Sequence, residues 1–207
     1  MDPLFLLLLA DRIGTFVFAL SGGVAAVRRE MDLFGVIMLA FLPAVGGGTL
    51  RDILLDVPVF WLEDSLVLAF AAAGGLVAFF AANSIDNWKP LRWADAAGLA
   101  LFAVAGAAKT ADLGHGFVVV LLMGTITATF GGLLRDVVAN RDPLLLKEDI
   151  YATAALLGAL VYAVLRSTPA TETLAFGGGF LAAFLLRGAA ILFALSLPKP
   201  RRAAPGE

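Results

Sequence analysis

A six-residue motif occurs twice in this chain, as Gly47-Gly48-Thr49-Leu50-Arg51-Asp52 and as Gly131-Gly132-Leu133-Leu134-Arg135-Asp136. Each copy lies inside an apolar run long enough to cross a bilayer. An arginine and an aspartate in hydrocarbon are costly unless partners, water or a function hold them there. Glycine weakens a helix and lets other groups approach its backbone. The motif therefore restricts the chain to a duplicated membrane protein whose halves are interrupted at matching depths, and it marks the expected working centre.

Of the 207 residues, 60% are hydrophobic and 15% charged, far more apolar than a soluble domain needs. Apolar runs of roughly 17 to 25 residues predict seven spans, at about 4–27, 34–56, 65–82, 93–109, 115–139, 150–166 and 174–197. These use most of the chain, so a single transmembrane domain over 1–207 is expected. The first stretch is read as a retained helix, because Asp2 leads it and no clear small-residue cleavage site follows. The formal net charge of −2 gives no reason to expect nucleic-acid binding. There is no cysteine, which excludes disulfides, iron–sulfur ligation and thiol catalysis. His115, the single histidine, is flanked by Gly114 and Gly116 and reads as a loop residue, since metal sites need several donors. No metal site or cofactor is expected.

Loop cations set the orientation. One face carries Arg28, Arg29, Lys89, Arg92, Arg141, Lys147, Lys199, Arg201 and Arg202, the other Arg12, Lys109 and Arg166. The first face is expected to be cytoplasmic, with the N terminus outside and the C terminus inside a cell inner membrane. Trp61, Trp88 and Trp93 fall at span boundaries as interfacial anchors.

The repeat extends beyond the motif. At an offset of 84, Asp11, Gly14, Phe18, Ala19 and Gly22 match Asp95, Gly98, Phe102, Ala103 and Gly106. At an offset of 85, Pro58, Glu63 and Asp64 match Pro143, Glu148 and Asp149. Repeat one covers about 4–84 and repeat two about 88–167, each with three spans. An odd number makes the second copy enter from the opposite side, an inverted repeat about an axis in the membrane plane. The seventh helix, about 174–197, has no counterpart.

Span two contains Pro43 followed by Gly46, Gly47 and Gly48. Span five contains Gly124, Thr125, Thr127, Thr129, Gly131 and Gly132. Both are expected to bend or unwind near mid-membrane, freeing carbonyls that only protein or a water-filled cavity can receive. Isolated glycines such as Gly74, Gly75 and Gly158 are read as packing positions. Neighbours on a helix point about 100° apart, so Arg51 is expected to pair with Asp136 and Arg135 with Asp52, across the two halves. Asp52 with Asp56, and Asp136 with Asn140, should form polar stripes toward opposite mouths. Asp11 and Asp95 are read as helix N-terminal carboxylates, Lys109 as a snorkelling residue, and Arg187 as meeting a carboxylate, a carbonyl or a lipid headgroup.

The doubled motif, the three-plus-three-plus-one spans and the length resemble the prokaryotic members of the trimeric intracellular cation (TRIC) channel family, over essentially Asp11 to Leu197. The resemblance implies a homotrimer with one potassium-permeable pore in each protomer, lined by kinked helices two and five, and lipid near the subunit contacts. By motif position Gly46, Gly47, Gly48, Thr49, Arg51 and Asp52 fall on the first kink, and Gly131, Gly132, Arg135 and Asp136 on the second. Phe130 replaces a glycine of the second triplet and would form an apolar constriction, while Thr125 and Thr129 add polar groups to span five. The expected function is a potassium channel, with sodium a further candidate ion. An alternating-access carrier for a small zwitterion such as glycine is the alternative, since broken half-helices at an inverted repeat also suit a carrier. An enzyme is not expected, because Asp52 and Asp136 have adjacent arginines and no nearby nucleophile.

Overall fold

The computed structural model describes residues 3–81, 89–147 and 150–197. Nine helices and no strands occur among them: α1 (Pro3–Val27), α2 (Leu33–Leu54), α3 (Phe60–Glu63), α4 (Leu66–Phe80), α5 (Lys89–Asp112), α6 (Phe117–Val138), α7 (Leu144–Lys147), α8 (Ala152–Arg166) and α9 (Glu172–Phe193). Leu33–Leu54, Leu91–Asp112, Phe117–Val138 and Glu172–Phe193 are long and apolar enough to cross a membrane. The apolar α4 and α8 have 15 residues each. At 1.5 Å per residue that is about 22 Å, short of a hydrocarbon core of about 30 Å. A helix of that length crosses only if flanking residues lengthen it.

The repeat is visible in the element boundaries. Moving α2 and α3 on by 84 residues gives the bounds of α6 and α7. The two ends match as well. Asp56 and Asn140, 84 apart, are both left-handed, with φ of 53° and 50°. Asp56 N bonds to Ile53 O and Val57 N to Asp52 O, and Asn140 N and Arg141 N repeat this with Val137 O and Asp136 O. That is the double bond pattern that closes a helix through a left-handed residue, a conformation Asp and Asn tolerate. Asp56 and Asn140 thus leave the helical path and are exposed. The polar stripes expected from Asp52 to Asp56 and from Asp136 to Asn140 do not form.

The helices touch through small residues. A side chain at Gly47 would collide with the carbonyl oxygen of Thr127, and one at Gly131 with the carbonyl oxygen of Pro43. Since 47 and 131, like 43 and 127, are 84 apart, α2 and α6 contact each other reciprocally. The same exchange occurs between α1 and α5: Gly14 faces the Phe102 ring and Gly98 the Phe18 ring, and these rings pack with centroids 5.2 Å apart. Gly74, Gly75 and Gly158 lie in helix contacts as expected, Gly74 against the backbone of Phe16 and Leu20, Gly158 against Ala183. Of the four long apolar helices, α5 is the most enclosed. The unmatched α9 packs on α8 and α5.

The expected unwinding is absent. Both α2 and α6 are helical throughout, including Pro43, Gly46–Gly48 and Gly131–Gly132. Pro43 has no amide hydrogen to give the carbonyl one turn back, and that carbonyl, of Leu39, lies against Gly22 of α1. The missing side chain at Gly22 lets α1 close over the defect, so the helix need not open.

Candidate functional site

The two motifs build two charged centres in the interior. In the first, Arg51 is 1% exposed and Asp52 fully buried; the Arg51 Nε donates to Asp52 Oδ1 at 2.7 Å. The other carboxylate oxygen, Asp52 Oδ2, accepts the Phe60 amide at 2.9 Å and so caps α3. The Arg51 guanidinium carbon lies 5.7 Å from the centroid of the Phe60 ring. Lys109 on α5 reaches the same carboxylate, Nζ to Oδ1 at 2.9 Å, with 29% of its side chain exposed.

The second centre repeats this plan. Arg135 Nε donates to Asp136 Oδ1 at 2.9 Å, and Asp136 Oδ2 accepts the Leu144 amide at 2.9 Å, capping α7. Around Arg135 more is added. Its Nη1 donates to Asp95 Oδ1 at 2.5 Å and to Ser21 Oγ at 2.5 Å, and the Tyr151 hydroxyl donates to Asp95 Oδ1 at 3.2 Å. Arg141 approaches Asp136 Oδ1 at 3.6 Å.

These contacts correct several expectations. The arginines pair with their own neighbours, and Arg51–Asp136 and Arg135–Asp52 are not the ion pairs formed. An arginine side chain is long enough for its Nε to turn back across the 100° between adjacent positions, and the carboxylate is held in place by capping the next short helix. Asp95 is no N-cap: α5 begins at Lys89, and Asp95 is an enclosed ion-pair partner. Asp11 likewise lies within α1, which begins at Pro3. Lys109 binds Asp52 instead of only snorkelling. The threonine hydroxyls turn to their own helices, Thr49 to Val45 O, Thr125 to Leu121 O, Thr127 to Met123 O and Thr129 to Thr125 O. Each keeps acceptor capacity, part of which Thr49 uses for the Trp61 indole N–H at 2.9 Å.

Arg187 finds a carbonyl, as one of its expected partners, donating to Ile150 O at 3.0 Å with its guanidinium 5.0 Å from the Tyr151 ring centroid. His115 is exposed in the α5–α6 loop beside Gly114, whose φ is 81°. Trp93 packs on Phe184; Trp88 lies outside the described residues, as do Glu148, Asp149, Lys199, Arg201 and Arg202. Ser21 and Tyr151 were not singled out from the sequence. The capping role of Asp52 and Asp136 had a signal: each stands eight residues before the first residue of a short apolar turn that follows a proline.

A cavity of about 340 Å³ adjoins the first centre, bordered by Asp11, Phe60, Glu63, Asp64, Ala105 and Lys109 among others. Arg12 Nη2 meets Asp64 Oδ2 at 2.9 Å and holds that loop carboxyl below its ordinary value.

This geometry has known relatives. The sequence profile of the family described as Glycine transporter matches residues 8–83 and 92–167, one match for each half. The UPF0126 inner membrane protein YadS of Escherichia coli (strain K12) is 39% identical over 194 residues, covering 91% of this chain and 93% of its own. The TRIC trimeric intracellular cation channel orthologue from Rhodobacter sphaeroides superimposes with a TM-score of 0.88 at 41% identity, covering 91% of this chain and 98% of that one. The chain belongs to the prokaryotic TRIC family. A second member, a prokaryotic TRIC channel crystallised in 0.5 M KCl, has a TM-score of 0.87 at 31% identity, with 93% of this chain and 99% of that one covered. In this TRIC chain the doubled motif falls one copy to each of the two stretches that match the Glycine transporter profile.

Proposed function

We propose that this TRIC protein is a cation channel of the cell inner membrane, conducting potassium foremost along a path within each protomer between α2 and α6. The observation that carries the reading is the pair of buried Arg–Asp centres, one at the end of each of two helices that meet reciprocally through glycine. In this reading Gly46, Gly47, Gly48, Thr49, Arg51 and Asp52 form one side of the path, and Thr125, Thr129, Phe130, Gly131, Gly132, Arg135 and Asp136 the other. The arginines of both centres keep binding weak enough for an ion to leave.

The chain is then one transmembrane domain of seven crossing helices: an inverted pair of three-helix repeats, about 4–84 and 88–167, plus α9. The 84-residue reciprocity of the glycine contacts supports the two-fold relation. The protein acts as a homotrimer in contact with membrane lipid, a reading supported by the trimeric description of the Rhodobacter sphaeroides relative. Its N terminus faces outward and its C terminus the cytoplasm. It is not an enzyme.

The family description favours a second reading, a carrier for glycine. Planar-bilayer recording of the purified protein separates the two. The expected result is discrete unitary currents whose reversal potential follows the potassium gradient and scarcely responds to chloride. Saturable glycine uptake by proteoliposomes, with no unitary events, would establish the carrier instead.

A further inference from the structure

The two charged centres are built on one plan but are not equally filled. Asp95 in the second half answers to Asp11 in the first, 84 residues earlier, and Ser21 answers to Ala105. In the second half Asp95 is taken by Arg135 and Tyr151, and the Ser21 hydroxyl occupies the space beside the guanidinium. In the first half Asp11 has no ion pair or hydrogen bond among the described residues. Arg51 and Lys109 act on it only through space. Ala105, in place of a serine, brings no hydroxyl, and a cavity of about 340 Å³ is bordered by both Asp11 and Ala105.

Two further buried polar groups bear on this region without lining the cavity. Thr15, one turn beyond Asp11 on the same face of α1, is fully buried and its Oγ1 has no hydrogen-bond partner. Arg51, the counterpart of Arg135, is 1% exposed with Nη2 unpartnered, as the Arg135 Nη2 also is. At the rim, Arg12 occupies Asp64 and Lys109 occupies Asp52, so among the described residues Asp11 and Glu63 have no ion-pair partner. A buried hydroxyl with no partner in the protein calls for a ligand or water.

Resting on the channel reading, we propose that Asp11 and Thr15 form a binding site for the permeating monovalent cation, in which the carboxylate and then the hydroxyl replace hydration oxygens as the ion leaves the cavity. Helix α1 thereby adds a selectivity step to the path attributed to α2 and α6. Arg51, acting on Asp11 through space, limits its occupancy and lets the ion move on.

Single-channel recording of the full-length protein in planar bilayers tests the site. Asp11→Asn is expected to lower potassium conductance about threefold near 0.1 M ionic strength, where charges are only partly screened, and to move the reversal potential in a potassium chloride gradient toward zero. Thr15→Val, which changes no charge, is expected to alter the potassium-to-sodium permeability ratio. If both variants assemble and match the unsubstituted protein in conductance and reversal potential, the site is overturned while the channel reading stands. Absence of unitary currents from the unsubstituted protein overturns the channel reading and the site with it. Should Asp11→Asn fail to assemble, Asp11→Cys in this cysteine-free chain offers a second route. A cationic methanethiosulfonate should then block and an anionic one restore conduction, and equal effects of the two reagents would overturn the site.

Discussion

At the scale of single residues, the two arginines of the repeated motif carry different loads. Arg135 is enclosed by two carboxylates, Asp95 and Asp136, and a serine hydroxyl. Arg51 has one carboxylate partner, and that carboxylate keeps Lys109 and the Phe60 amide if the arginine is lost. Removing one member of a buried pair strands the other charge, at about 3–5 kcal/mol. Arg135→Ala is therefore expected to cost close to that full amount and Arg51→Ala distinctly less, as read from thermal unfolding in detergent. A double-mutant cycle for Arg135 and Asp95 should show coupling. One for Arg51 and Asp136 should be additive within about 0.5 kcal/mol. A larger coupling in the second cycle would restore the cross-half pairing that the geometry rejects. The sequence made these residues conspicuous but not their partners. Which carboxylate an arginine meets is decided by a flexible chain several bonds long, whereas the helical angle between neighbours fixes only where each side chain starts.

At the scale of helices, the sequence was far more legible, because apolar length and an 84-residue offset both report on backbone. The spans expected near 34–56 and 115–139 appear as α2 and α6 with equal lengths and equal closures. Short α3 and α7 escaped notice: four residues give no periodicity, and their caps come from aspartates eight positions away. The absence of unwinding at the glycines has a physical cause too. A run of glycine beside proline suits an opened helix, but it suits equally a helix whose neighbour's carbonyls come too close for any side chain. Gly47→Ala is expected to destabilise by about 1–3 kcal/mol, the usual cost of overpacking, since its Cβ meets the Thr127 backbone rather than a yielding side chain. Gly177 on α9 has open space around its Cα, so Gly177→Ala should gain about 0.5–1 kcal/mol from helix propensity. Equal shifts in melting temperature for the two would refute the contact.

For the whole molecule, orientation is read from charge and not from packing. Nine loop cations on one face against three on the other predict an outer Thr171 and an inner Lys89. Single cysteines introduced at these positions test this in intact cells, where an impermeant thiol reagent should modify the Thr171→Cys protein and spare the Lys89→Cys protein. The reverse pattern would turn the protein over in the membrane without disturbing the pairing of its halves.

That pairing has a mechanical consequence. Where α2 meets α6, the closest surfaces are the backbone of glycine and the carbonyls of Pro43 and Thr127. Such a seam has no rotamers to flip. Any movement that parts α2 from α6 must be a roll or tilt of entire helices, and it cannot be confined to one half, since the oxygen against each glycine belongs to the other.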